Sequence, residues 1–439
     1  MNATSHRAPA APIMEQNLNP ESPSQYRSMS PHTSMMPNTT SDRALHAFLV
    51  QTGEMLHRHG TPSHRLERVW TAMARKLGVD GGCLYTPTSL LVSIKNGEHE
   101  STYLRRIDSG PVAVDKLIRI DETLELVAAG TLLIADASRQ LEEIDAASAP
   151  YPRWANVSAY AICCGAVAIF FQGSPAEILA ALVLGLTISL LEFLPLHFDW
   201  DNGLLEPIAG FIASIGALAI SRYVVPIDDR LVTLAALIVL IPGLRLTMAL
   251  NELAVGHLAA GVSRLAGACV HLLTLTIGVA VGWRIAGAWR NIPEPVDWPT
   301  SQWWPWAAIL VAPITFAIIF HAGWRQWPTI ALVTIAGFTA SSLGGTYLGI
   351  EVGATLGALA VGCGSNLYAR IFNRPAMVPL TPGILILVPG SIGYRSLTAF
   401  LDNHTIAGID LAFQMLIVAV GLVGGILIAN VLIPPRRTL

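Results

Sequence analysis

From Asp42 to Leu77 the apolar residues Leu45, Phe48, Leu49, Met55, Leu56, Leu66, Val69, Met73 and Leu77 recur at helical spacing. The pattern breaks at Gly60-Thr-Pro62, so it predicts two helices joined by a turn. Leu84 to Ile94 is rich in Thr, Leu, Val and Ile and runs into Asn96-Gly97, after which Glu98 to Ile107 continues in the same style. That is the signature of a β-hairpin closed by a type I′ turn. Two more amphipathic helices, about 112–129 and 135–146, complete a small α+β domain over 41–150, an ordinary size for one domain.

Beyond residue 150 the pattern changes to long apolar stretches of near-spanning length, about 20 residues being needed to cross a bilayer. Ten begin near Trp154, Ala176, Leu204, Leu231, Leu258, Trp304, Pro328, Ile350, Ala376 and Gly408. The expected fold is therefore a polytopic α-helical membrane protein of about ten transmembrane helices. Its first five-helix repeat covers 151–290, a Trp/Pro-rich interfacial connector 291–303, and the second repeat 304–439. Ten crossings place both chain ends on one side.

The two halves echo each other. Leu240-Ile-Pro-Gly-Leu-Arg-Leu-Thr247 and Leu387-Val-Pro-Gly-Ser-Ile-Gly-Tyr-Arg-Ser-Leu-Thr398 place their prolines 147 residues apart, 389 minus 242. Ile215-Gly-Ala-Leu-Ala219 and Leu356-Gly-Ala-Leu-Ala360 repeat at a similar offset, as a duplicated unit would. Five helices is an odd number, so a second copy enters the membrane upside down. The expectation is two inverted repeats, with helices four and nine broken at Pro242-Gly243 and Pro389-Gly390, the usual position of a transporter's substrate site.

Composition sharpens this picture. Charged residues make up 13% of the chain, against roughly 25% in soluble domains, and no lysine follows residue 153. A net charge of −3 without a basic patch gives no reason to expect nucleic acid. Cys83, Cys163, Cys164, Cys269 and Cys363 form no CxxC, so they read as small apolar residues. Residues 1–40, rich in Pro, Ser, Asn and Met, read as a disordered tail rather than a secretory signal. Arginines divide six against five between the two sides, so the front domain is placed in the cytoplasm only because nothing would export it.

Charges retained among apolar helices are costly and mark function. Arg245 and Arg395, three and six residues beyond their prolines, could meet an anionic group near the midplane, or could snorkel to the interface. Asn251 could hydrogen-bond a substrate's polar part. Glu252 first, then Glu206 and Glu351, are the candidate proton carriers, with Glu192, Arg264 and His271 nearby in the same class. Glu206 and Glu351 could equally cap helix starts. Gly344-Gly345 and the glycines of 353–364 read as close helix packing. In the front domain, His57, His59 and His64 could hold a metal but lack an i, i+4 pair on one helix, so they read as solvated histidines; Arg65, Glu67, Arg68 and Arg75 read as an exposed paired face. GxxxxGK[ST], HExxH and GxSxG are all missing, which leaves ATP-driven transport and the common hydrolases without support.

The residues resemble the threonine/serine exporter family. The resemblance spans about 42–435 and rests on Gly60-Thr-Pro-Ser-His-Arg-Leu-Glu67, Thr86-Pro-Thr88, Phe171-Gln-Gly173, Ile241-Pro-Gly-Leu-Arg-Leu-Thr247, Asn251-Glu252 and Thr381-Pro-Gly-Ile-Leu-Ile-Leu-Val-Pro-Gly390 with Tyr394-Arg395. Leu66 stands where valine is usual, Glu177 where aspartate is common, and the tail shrinks to Pro434-Pro-Arg-Arg437. The resemblance implies a secondary exporter of threonine, serine or a similar small polar metabolite, driven by the proton-motive force across the inner membrane. Some relatives look like dicarboxylate exporters, so an exporter or channel for small carboxylates is one alternative. A membrane-anchored enzyme using His57, His59, His64 and Glu67 with Thr86 or Thr88 is another. On the leading reading the chain is no enzyme and needs no cofactor or metal. Its partners are a small-molecule substrate, protons and the lipid bilayer; homo-oligomerisation is left open.

Overall fold

The computed structural model describes residues 40–96, 99–107, 110–191, 203–286 and 303–435. The expected disordered tail, most of the connector, Gly97 of the hairpin turn, Glu192 and Arg436-Arg437 lie outside these residues.

Helices α1 (Thr40–Arg58) and α2 (Ser63–Lys76) flank the predicted break, where Gly60 turns the chain at φ +82°. Next comes a three-stranded antiparallel sheet in the order β1 (Asp80–Thr86), β2 (Ser89–Asn96), β3 (His99–Arg106). Sequence reading runs one strand through Leu84–Ile94, whereas the chain reverses at Pro87-Thr88, leaving Thr86 opposite Ser89. Proline has no N–H for a ladder and its fixed φ suits a turn; the Thr86 and Ser89 hydroxyls close it at 2.7 Å. Along β2, Leu90, Val92 and Ile94 alternate inward and are fully buried against Phe48, Leu49, Leu66 and Trp70. The Trp70 indole donates to the Leu49 carbonyl, 2.9 Å, which satisfies its one polar atom in that core. Helices α3 (Val114–Ala128) and α4 (Ile134–Ala146) complete the layer.

The remainder is helical: α5 (Arg153–Phe170), α6 (Pro175–Leu191), α7 (Leu205–Tyr223), α8 (Asp229–Leu237), α9 (Gly243–Ala254), α10 (Leu258–Ala286), α11 (Trp304–Ile319), α12 (Trp327–Leu348), α13 (Ile350–Phe372), α14 (Met377–Leu385), α15 (Gly390–Leu401) and α16 (Thr405–Leu432). Among the described residues seven segments are long and apolar enough to span a membrane: α5, α7, α10, α12, α13, α14 with α15, and α16. This falls short of ten because α6 and α11 have only 17 and 16 residues and the α8–α9 pair is interrupted. Large apolar side chains such as Leu332, Ile406, Val420 and Val431 project from the helices without protein cover, as lipid-facing residues do. Inside, glycines let helices touch: a Cβ on Gly353 of α13 would come within 2.5 Å of the Gly345 nitrogen of α12, so these glycines serve packing.

The front domain seats on the helical part at several points. Ser63 at the start of α2 donates its N–H to Glu252 near the end of α9, 3.0 Å. Val114 and Asp115 donate theirs to the carbonyls of Phe320 and His321 after α11. Tyr151 and Asn156, at the start of α5, bond Ala322 and His321. The domain thus engages helices from both halves.

Candidate functional site

Proline cannot donate the i→i−4 bond, so each Pro-Gly interrupts its helix. Before Pro242 the chain tightens through i→i−3 bonds, Ile238 to Ala235 and Leu240 to Leu237; before Pro389 it does the same, Leu387 to Ile384 and Val388 to Leu385. Pro242 and Pro389 have nearly the same backbone conformation, φ −77° and −79°. The two breaks then meet. A Cβ built on Gly390 would lie 2.9 Å from the Gly243 Cα, and one on Gly243 would lie 3.1 Å from the Gly390 Cα and 2.1 Å from a Val388 methyl carbon. Only glycine permits backbones to approach so closely.

Cavities flank this crossing. One of about 510 Å³ lies between α9, α14, α16 and the first turns of α2, with Asn251, Thr247 and Thr381 among its polar wall groups. Another of about 440 Å³ lies among α8, α15 and Trp283 of α10, lined by Arg395 and by Arg230 and Asp402, which pair with each other. A third, smaller one of about 300 Å³ is apolar and includes Gly243, Gly390, Phe170, Phe316 and Phe338. The first two exchange their elements: one uses the second half of the first broken pair with the first half of the second pair, and the other does the reverse.

The candidate charges divide among three places. Arg245 donates toward His271 Nε2 at 3.3 Å, and His271 Nδ1 lies 2.6 Å from Glu206, giving a chain of guanidinium, imidazole and carboxylate across α9, α10 and α7. Arg395 shares neither this network nor its cavity with Arg245, so the structure does not bring the two arginines together. Glu252 is fully buried and already engaged by the Ser63 N–H and by Arg264, 3.0 Å, which in turn bonds the Tyr85 hydroxyl, 2.9 Å. Glu351 occupies the first turn of α13, apart from the other two carboxylates. Asn251 lines the cavity nearest the front domain, and its Oδ1 has no hydrogen-bond partner among the described residues.

Two readings of the front domain require correction. His57 and His59 are not solvated: they are buried, His57 bonding the Thr86 carbonyl at 2.9 Å and His59 facing Asp145 at 3.2 Å. Burial, followed by the nearby Lys116 charge, pushes His59 down to about 4. Nor is Arg65 on an exposed face, since it is only 7% exposed. The two histidines are covered by Tyr85 and Thr86 of β1 and by Asp145 of α4, contacts that local periodicity cannot register. Tyr85 and Ser63 were likewise invisible as contact residues for the same reason.

Long apolar helices, paired Pro-Gly breaks in contact, and cavities on either side define a multi-pass membrane protein of transporter type. Residues 47–286 match the threonine/serine exporter family, and residues 306–432 match the family described as Threonine/Serine exporter, ThrE. The chain belongs to the threonine/serine exporter family. It is also similar to proteins named pheromone-regulated membrane protein 10 from Eremothecium gossypii, 25% identical over 80% of this chain and 49% of that protein, and from Debaryomyces hansenii, 27% identical over 80% and 36%. The Saccharomyces cerevisiae protein of that name is 25% identical over 80% of this chain and 47% of its own length. The chain thus spans about half or less of the length of these relatives. No solved structure matches it.

Proposed function

We propose that the protein is a secondary active exporter of threonine, serine or a similar small polar carboxylate, driven by the proton-motive force across the inner membrane. In this reading the helices make ten crossings as two inverted five-helix repeats, α5–α10 and α11–α16, each with one broken helix counted as a single crossing. The front domain is cytoplasmic. The observation that carries the proposal is the contact between the two Pro-Gly breaks with a cavity on either side, because exchanging the halves exchanges the cavities.

Substrate enters from the front-domain side past Asn251, passes the Gly243–Gly390 crossing with Pro242 and Pro389 fixing its shape, and leaves along Arg395. Alternating access rocks one repeat against the other about that crossing. The Glu206–His271 pair is the proton-coupling element: adding or removing a proton there alters the charge beside Arg245, and with it the hold on a substrate carboxylate. Glu252, the leading carrier candidate from sequence, has instead the role of docking the front domain, and Glu351 stands in the second repeat where Glu206 stands in the first.

The experiment is efflux of labelled threonine, serine and succinate from preloaded cells expressing the wild type, Arg245→Gln or Glu206→Gln, with membrane insertion checked separately. Protonophore-sensitive efflux in the wild type and its loss in both variants is expected. Equal efflux in wild type and variants would remove the network from the mechanism.

A further inference from the structure

Arg65, in the first turns of α2, is 7% exposed, and its guanidinium has no hydrogen-bond or ion-pair partner among the described residues. A guanidinium taken out of water without a counter-charge is costly, and native structures rarely leave one so. Burial, followed by the neighbouring Arg68 charge, pushes it down to about 10, which still leaves it cationic at neutral pH. Arg65 and Arg68 both line the cavity of about 510 Å³ between the front domain and the helices, and no carboxylate lines it among the described residues. The carboxylates nearest along the contact are occupied: Glu252 by Ser63 and Arg264, Glu67 by His257 at 3.4 Å.

Two further polar atoms of residues that line the cavity lack partners among the described residues, His64 Nδ1 and Asn251 Oδ1. Burial and the Arg65, Arg68 and His257 charges hold His64 down to about 3, so at neutral pH it is a neutral donor or acceptor rather than a third cation. Apolar side chains, among them Leu244, Met248 and Ile384, complete the lining. Two cations, two neutral hydrogen-bonding groups and an apolar remainder suit a small organic acid: guanidinium forks match carboxylate geometry, and the volume lies within the usual range for small-molecule sites.

We infer that this cavity is a carboxylate-binding site in which Arg65 and Arg68 hold the anion and Asn251 and His64 orient the rest of the molecule. The front domain therefore supplies half of the site. Resting on the exporter reading, the site is the loading station from which substrate moves to the Gly243–Gly390 crossing, and the carboxylate is common to an amino acid and a dicarboxylate.

The test is calorimetric titration of succinate, threonine and inorganic phosphate into the full-length protein in phosphatidylcholine nanodiscs, repeated for Arg65→Gln, Arg65→Lys and Arg68→Gln. At least one of succinate and threonine is expected to bind more tightly than phosphate, with affinity weakened tenfold or more in both Gln variants and largely kept in Arg65→Lys. Retained affinity in both Gln variants overturns the site; if Arg65→Gln fails to fold, retained affinity in Arg68→Gln alone overturns it. Failure of both carboxylates to bind overturns it too. Efflux separates the two readings. Arg65-dependent binding without any efflux sinks the exporter reading alone, whereas protonophore-sensitive efflux whose half-saturating concentration is unchanged in Arg65→Gln and Arg68→Gln sinks the site alone.

Discussion

At residue scale the decisive feature is where charges are allowed to remain. Arg245, His271 and Glu206 satisfy one another along a line of 3.3 and 2.6 Å contacts, an arrangement worth keeping among apolar helices only if it does something. His271→Gln is accordingly expected to lower efflux at least tenfold while leaving expression unchanged, and a rate within twofold of wild type would contradict that role. His64 gives a second residue-level prediction. Its folded value near 3 lies below its ordinary 6.5, so as pH falls below 6.5 the unfolded chain takes up a proton that the folded protein refuses. Its contribution is therefore full above pH 6.5 and is lost progressively toward 3. The thermal midpoint of the front domain should fall between pH 7.5 and 5, and should fall less in His64→Asn; parallel curves for the two proteins would be the wrong result. Arg245, Glu206 and His271 were all legible in sequence as isolated charges in apolar segments. Their partnership was not, because it joins three helices whose facing sides are set by packing rather than by spacing.

Among the elements, the paired breaks were the most legible part of the chain. Pro-Gly within an apolar run cannot be an uninterrupted helix, and finding it twice at a matched offset predicts two such helices. Sequence gives no distance between them; the structure adds that Gly243 and Gly390 touch. Gly390→Ala should therefore force its neighbours apart, costing about 1–3 kcal/mol as an overpacked contact does, and should slow efflux; an unchanged thermal midpoint would count against the close crossing. The docking of α2 on α9 through Glu252 makes a separate prediction. Removing one member of a buried ion pair typically costs about 3–5 kcal/mol, and here Glu252 is fully and Arg264 largely buried, so Glu252→Ala should lower the melting temperature and expose the segment between α4 and α5 to protease. The paired change Glu252→Met with Arg264→Met should recover much of that loss, and a double variant worse than the single would contradict the buried-pair explanation. The β-sheet was only partly legible: composition and the Asn96-Gly97 signal located a hairpin, but Pro87 divides one apolar run into two strands, and the turn outweighs the run.

For the whole molecule, the front domain is fastened to the helical part rather than hung from it. It bonds α9 and α10 of one half through Ser63 and Tyr85, and the segment after α11 of the other through Val114 and Asp115. On the proposed exporter reading, rocking of the halves would stretch or release these contacts. Hydropathy made the membrane class legible; the domain's seat was hidden because it depends on contacts between residues 189 apart in the chain, as between Ser63 and Glu252. The most direct measurement of the central claim uses purified protein in proteoliposomes loaded with labelled threonine, serine or succinate, with a pH gradient imposed and then collapsed. Flux of one substrate against its own gradient, present only while the pH gradient lasts and absent in Arg245→Gln, is the predicted result. Downhill flux indifferent to the pH gradient would contradict it and make the protein a channel.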